Sequence, residues 1–200
     1  MPMPNRRTNT SAAPDAANAT IASALRTLDA ETKGVAALAA ALGGVLGSAF
    51  IAAVDLIRSA KGRTIVTGLG KSGHVARKIA ATLASTGTPA FFVHTAEASH
   101  GDLGMITTDD VIIALSRSGE QPEMTNLVNY SRRFGIPLIA VTAFADSSLG
   151  SAADIVLELP NAAEACPHNL APTTSTLMQA ALGDALAIAL LESHGFTALQ

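Results

Sequence analysis

The sequence predicts an α/β fold: a five-stranded parallel sheet with helices on both faces and a helical extension in front of it. Two observations predict this. From Arg63 onward, short β-branched apolar runs alternate with segments of helical spacing, and that alternation calls for parallel strands joined by crossover helices. Loops rich in glycine and hydroxyls stand where strands end and helices begin, which is where parallel sheets hold ligands. Composition agrees: 200 residues, 48% of them hydrophobic, suffice for one domain with a sizeable core and exclude a disordered chain.

In chain order, residues 1–20 read as a disordered tail rich in Pro, Asn, Ala and Thr. Residues 21–60 form the helical extension of one domain spanning 21–200. Residues 35–54 contain no charge, the length of a membrane span. Bulky side chains recur there at Leu38, Leu42, Leu46 and Phe50, separated mainly by Ala, Gly and Ser. Such small residues contribute little insertion energy, so a buried or subunit-interface helix is expected, with a helix broken at Gly43-Gly44 as the other reading. Strands are expected at 64–67, 89–94, 110–115, 136–142 and 154–159. Helices are expected at 74–85, 121–134, 147–152 and 174–194, with Gly135, Pro160 and Gly195 as terminators.

Charge and cysteine narrow the function classes. A net charge of -3 gives no basic footprint, so no nucleic-acid partner is expected. Any anionic ligand would be held by local dipoles and hydroxyls. The single Cys166 cannot close an intrachain disulfide and fits a reducing cytosol. Arg6 and Arg7 have no apolar run behind them, so a cytoplasmic protein with no membrane association is expected.

Three loops carry the chemistry. Gly68-Leu69-Gly70-Lys71-Ser72-Gly73 has the form G-x-G-x-x-G between a strand and a helix. A dinucleotide site would want an acidic residue ending the second strand, which instead ends in Phe92-Val93-His94. A P-loop fails on spacing, because Ile65 stands where its first glycine belongs. What remains is a tight turn presenting Lys71 and Ser72 to a small anion, or a plain turn with a surface lysine. Ser116-Arg117-Ser118-Gly119-Glu120 opens a later helix with two hydroxyls where capping needs one. Thr173-Thr174-Ser175-Thr176 opens the last helix. Glu123 and Glu164 follow two strand ends and are expected to face one cleft, although Glu123 in a first helical turn is favourable without any chemistry.

These loops carry a resemblance. Gly68 to Gly73 with His74, the run Ala84-Ser85-Thr86-Gly87-Thr88-Pro89 and Phe91-Phe92-Val93-His94 resemble the Rossmann-like sugar isomerase (SIS) fold. Glu97-Ala98-Ser99-His100-Gly101-Asp102-Leu103-Gly104-Met105, Glu164-Ala165-Cys166-Pro167, Leu170-Ala171-Pro172-Thr173 and Gly183-Asp184-Ala185-Leu186-Ala187 resemble, more narrowly, the arabinose-5-phosphate isomerases. The resemblance implies interconversion of D-arabinose 5-phosphate and D-ribulose 5-phosphate through a cis-enediol, without a cofactor, feeding Kdo for lipopolysaccharide or capsule. It also implies a homo-oligomer, a tetramer by family habit, whose cleft a neighbouring subunit completes.

Carried over position by position, Lys71, Glu123 and Glu164 match proposed active-site residues, and His100 matches a ring-opening acid. Gly70, Ser72, Ser116, Ser118 and Gln121 match substrate contacts, with Thr173, Thr174 and Ser175 a weaker set. Such chemistry needs a carboxylate to move a proton between C1 and C2, an acid to open the ring and a cradle for phosphate. The base is not assigned between Glu123 and Glu164. Two positions depart from the family: Gln121 where Ser or Thr is common, and Arg117 where a small polar residue is usual. Family chains continue beyond Ala198 into a His-Pro-Gly-Gly segment and two CBS domains, which these residues do not include. An isomerase for another phosphosugar, and a sugar-phosphate-binding module without turnover, stay open. No metal is expected: His94, His100, Cys166 and His168 match no recognised ligand spacing.

Overall fold

The computed structural model describes residues 12–98 and 101–193. Two helices lead, α1 (Ala12–Leu42) and α2 (Val45–Ser59). They meet at a 77° bend at Gly43-Gly44, where paired glycines remove the side chains that favour helix. The broken helix is therefore the reading that holds over 35–54. The expected tail is corrected too. Helix begins at Ala12, inside the 1–20 segment, because Ala12, Ala13, Ala16, Ala17 and Ala19 are strong helix formers. Residues 1–11 lie outside the described set.

The sheet comprises β1 (Thr64–Gly68), β2 (Ala90–His94), β3 (Val111–Leu115), β4 (Leu138–Thr142) and β5 (Ile155–Glu158), all parallel, in the order β2-β1-β3-β4-β5. Its central strands β1, β3 and β4 are buried along their whole length, as a sheet covered on both faces requires. Alternation sorts their side chains. Val66, Ile113 and Ile139 join a core with α1, α2, α3 (Gly70–Ser85) and α7 (Thr174–Ser193). Ile65, Ile112, Leu138 and Ala140 join a second core with α4 (Thr95–Ala98), α5 (Thr125–Phe134) and α6 (Ser148–Ala152). By length and composition α7 could cross a membrane, but its Met178, Leu182, Leu186 and Leu190 are buried in the first core. An ion pair between Lys78 and Asp184 closes the α3–α7 seam.

Three details differ from the sequence reading. α3 starts at Gly70, ahead of the apolar periodicity. The helix expected over 121–134 opens as a 3₁₀ turn, Pro122–Met124. Helix α4 and a 3₁₀ turn at Asp102–Met105 occupy a stretch too short to show periodicity.

Asp110 anchors the entry to β3. It is buried and accepts from the N–H groups of Arg63 (2.6 Å) and Thr107 (2.8 Å) and from the Thr107 hydroxyl (3.1 Å). Burial pushes its carboxyl up, but these donors outweigh it and hold the group below the usual carboxylate range. Asp110→Ala leaves two backbone donors unpaired and is expected to cost about 2–4 kcal/mol in urea unfolding.

Candidate functional site

The chain runs from β1 outward to β2 on one side and to β3, β4 and β5 on the other. A crevice must open outside the C-terminal ends of β1 and β3, where the winding reverses. In register, Gly68 pairs with His94 and with Leu115, so these three strand ends are level. A pocket of about 380 Å³ occupies the crevice. The turn after β1 contributes Gly70, Lys71 and Ser72, the turn after β3 contributes Arg117, Ser118 and Gln121, and the start of α7 contributes Ser175. A larger cavity of about 560 Å³ lies near Ile136 and Asp154, at the opposite ends of β4 and β5.

Each wall has a local cause. Gly70 adopts φ 57°, which lets the chain turn straight from β1 into α3. No side chain caps α3, so its first N–H groups and its dipole face the pocket, where an anion is stabilised. Lys71 is exposed beside them. After β3, the buried Ser116 Oγ accepts from the Gly119 N–H (3.0 Å), and Ser118 Oγ accepts from the Glu120 N–H (3.3 Å). Both serines thus shape the turn while their hydroxyl hydrogens stay free to donate, and only Ser118 lines the pocket. Glu120 is bound to α6 through the N–H and hydroxyl of Ser148 (2.7 and 2.6 Å), which hold its carboxyl low.

Orphaned polar atoms gather here. Gln121 Oε1 is buried without a hydrogen-bond partner, and Ser175 Oγ, beside the Glu164 carboxylate, makes no bond of good geometry; buried polar groups rarely stay unpaired unless a ligand or water meets them. Ser175 alone of the expected Thr173–Ser175 set reaches the pocket. Thr173 is spent on the preceding loop: its N–H and hydroxyl donate to Glu164 Oε2 (2.7 and 3.1 Å) and its oxygen accepts from the Ala165 N–H (2.9 Å). Thr174 is fully buried and lies toward Gly34 of α1.

The two carboxylates do not share one cleft as expected. Met124 is buried in the second core, and its neighbour Glu123 is exposed and does not line this pocket. Glu164 lies behind the pocket wall formed by Arg117 and Ser175. Its Oε2 accepts from Thr173 and from the Ser175 N–H (3.2 Å), and its Oε1 stands 3.4 Å from Arg117 Nε. Burial pushes the Glu164 carboxyl up, yet donation from Ser175 and Thr173 outweighs it, leaving the group below its ordinary value of 4.5. A carboxylate depressed in the folded state stabilises the fold above about pH 4.5, and that contribution is lost as pH falls through the folded value. Acid unfolding is therefore expected to flatten in Glu164→Gln when thermal unfolding is followed from pH 6 to about pH 3.

His100 lies outside the described residues. His94 Nδ1 accepts from the Ala96 N–H (3.2 Å) at the start of α4, and His168 is exposed. Among the described residues no three of His, Cys, Asp and Glu gather as metal ligands. Two cations, Lys71 and Arg117, line the pocket beside the hydroxyls and the helix dipole.

The sequence pattern of the SIS domain matches residues 56–189. An arabinose 5-phosphate isomerase KdsD of Pseudomonas aeruginosa is 55% identical over 178 residues, 89% of this chain and 53% of that protein. An arabinose 5-phosphate isomerase KpsF of Escherichia coli O6:H1 is 57% identical over 143 residues, 72% of this chain and 44% of that protein. The chain thus spans about half the length of these two relatives. Among solved structures, c3406 of E. coli CFT073 in complex with arabinose 5-phosphate superposes with a TM-score of 0.81 at 38% identity, covering 96% of each chain. With a parallel sheet of order β2-β1-β3-β4-β5, a Gly-Lys-Ser turn at its switch point and these matches across the core, the chain belongs to the SIS domain family.

Proposed function

We propose that the chain is an aldose–ketose isomerase interconverting D-arabinose 5-phosphate and D-ribulose 5-phosphate through a cis-enediol, supplying Kdo synthesis as a cytoplasmic homotetramer. The observation that carries this reading is the pocket itself. An uncapped helix N-terminus, two cations and unpaired hydroxyl and amide groups surround a space of about 380 Å³, suited to one phosphosugar. The pentose phosphate is chosen over other sugars on the likeness to KdsD, KpsF and c3406.

The roles follow from the residue types. The α3 N-terminus with Gly70 and Ser72, and the turn holding Ser116 and Ser118, cradle the phosphate. Gln121 and Ser175 offer an acceptor and a hydroxyl to the sugar. His100 opens the furanose ring as an acid. A carboxylate, Glu123 or Glu164, takes the proton from C2 of the aldose and returns it to C1, while a hydroxyl proton passes between O1 and O2, so no electrons leave the sugar. Lys71 stabilises the enediolate oxygen as charge develops. The exposed apolar side chains of α1, Ile21, Leu25 and Leu28, suit a contact with neighbouring subunits.

A panel of phosphosugars tests the reading. Arabinose 5-phosphate is expected to turn over faster than hexulose and heptose phosphates, and unphosphorylated arabinose is expected not to compete. A clear preference for a six- or seven-carbon phosphosugar would contradict it.

A further inference from the structure

We propose that Arg117 is a positioning residue that acts through Glu164, keeping that carboxylate in place, in preference to gripping the substrate's phosphate. The proposal rests on the isomerase reading above. Its warrant is the asymmetry of the Glu164 carboxylate. Oε2 is spent on three donors, the N–H groups of Thr173 and Ser175 and the Thr173 hydroxyl. Oε1 is buried and makes no hydrogen bond, although the Glu164 side chain is only 2% exposed. The donors on Oε2 hold the group ionised, which leaves Oε1 as a buried charged oxygen that is costly unless a cation stands beside it. Arg117, with Nε 3.4 Å from Oε1, is the cation paired with it among the described residues.

The arginine is anchored for that task. Its carbonyl accepts from the Ala143 N–H (3.0 Å) and the Thr142 hydroxyl (3.2 Å) at the end of β4, so the side chain extends from a fixed point. Its Nε is the nitrogen engaged by Glu164, so the arginine both lines the pocket and reaches the carboxylate behind its wall. The pair joins the turn after β3 to the start of α7, two of the three walls around the ligand space. Loss of Arg117 leaves Oε1 bare inside the protein, while Oε2 keeps its donors, so the carboxylate is free to swing from its place.

The test is a double-mutant cycle of Arg117→Gln and Glu164→Gln, assayed for kcat and KM with arabinose 5-phosphate. Arg117→Gln is expected to lower kcat about a hundredfold, since a displaced group near the chemistry costs that much, while KM stays within about threefold. Arg117→Lys keeps the charge without the Nε geometry and is expected to restore part of kcat. In the Glu164→Gln background, Arg117→Gln is expected to change kcat by less than about threefold, because the two residues act as one unit. A raised KM with kcat unchanged would mean a direct phosphate contact and overturn the proposal, as would losses that multiply. Should Arg117→Gln fail to fold, Arg117→Lys carries the same comparison. If the unmutated chain shows no turnover, the isomerase reading falls, and the cycle is read in thermal unfolding. There, a smaller loss of Tm from Arg117→Gln in the Glu164→Gln background supports the pair, and an equal loss overturns it.

Discussion

Lys71→Ala is expected to lower kcat/KM for arabinose 5-phosphate by about 10²–10³-fold, the scale of removing one preorganised group from developing negative charge. Thermal unfolding should not move. The side chain is exposed, makes no core contact and stands at the open N-terminus of α3. Its ammonium therefore contributes to the ligand and not to the fold. Steady-state kinetics beside a melting curve separates the two. A drop of several degrees in Tm would show that Lys71 holds the turn, and its place in the chemistry would have to be given up.

Gly119→Ala is expected to act in the opposite way, through the fold first. Gly119 adopts φ 69°, a conformation that side chains resist. A methyl group there would run into the Ser147 hydroxyl and lie 2.5 Å from Ser147 Cβ. Ser147 caps α6, accepting from the Gly150 N–H (3.2 Å) and donating to the Phe144 carbonyl (2.6 Å). The Gly119 carbonyl also accepts from the Leu149 N–H (3.0 Å). One methyl therefore strains the turn after β3, displaces a cap and loosens the pocket wall that carries Arg117 and Ser118. A loss of about 2–4 kcal/mol in urea unfolding is expected, from backbone strain together with loss of the cap. Phosphosugar binding should weaken with it. Unchanged stability would mean that the turn can rearrange freely, and that its geometry does not define the pocket.

What could be read from the sequence follows the physics of each signal. The strands were legible because β1, β3 and β4 are buried on both faces, which leaves unbroken apolar runs such as Val111 to Leu115. The pocket loops were legible because a parallel sheet concentrates polar turns at one edge, and Gly70, Lys71, Ser72, Ser118, Gln121 and Ser175 all line one pocket there. Direction was not legible. Glu123 and Glu164 both follow strand ends, but one is exposed beside a buried Met124 and the other is buried in a web of donors. Counting hydroxyls also misleads, since Thr173 spends its hydroxyl on the adjoining loop and Thr174 lies against α1. The role of Arg117 depends on Glu164, a partner distant along the chain, and no local pattern encodes that contact. The helix from Ala12 was missed because polar residues among the alanines mask a propensity that the alanines alone provide.

The most direct test of the central claim is to incubate this chain with arabinose 5-phosphate in deuterated water and follow the sugar by NMR. The account predicts that ribulose 5-phosphate appears, with solvent deuterium at C1 to the extent that the carboxylate exchanges its proton with solvent before returning it. A phosphosugar that raises the melting temperature of the protein yet stays unconverted and unlabelled would contradict it, leaving a binding module where an isomerase is proposed.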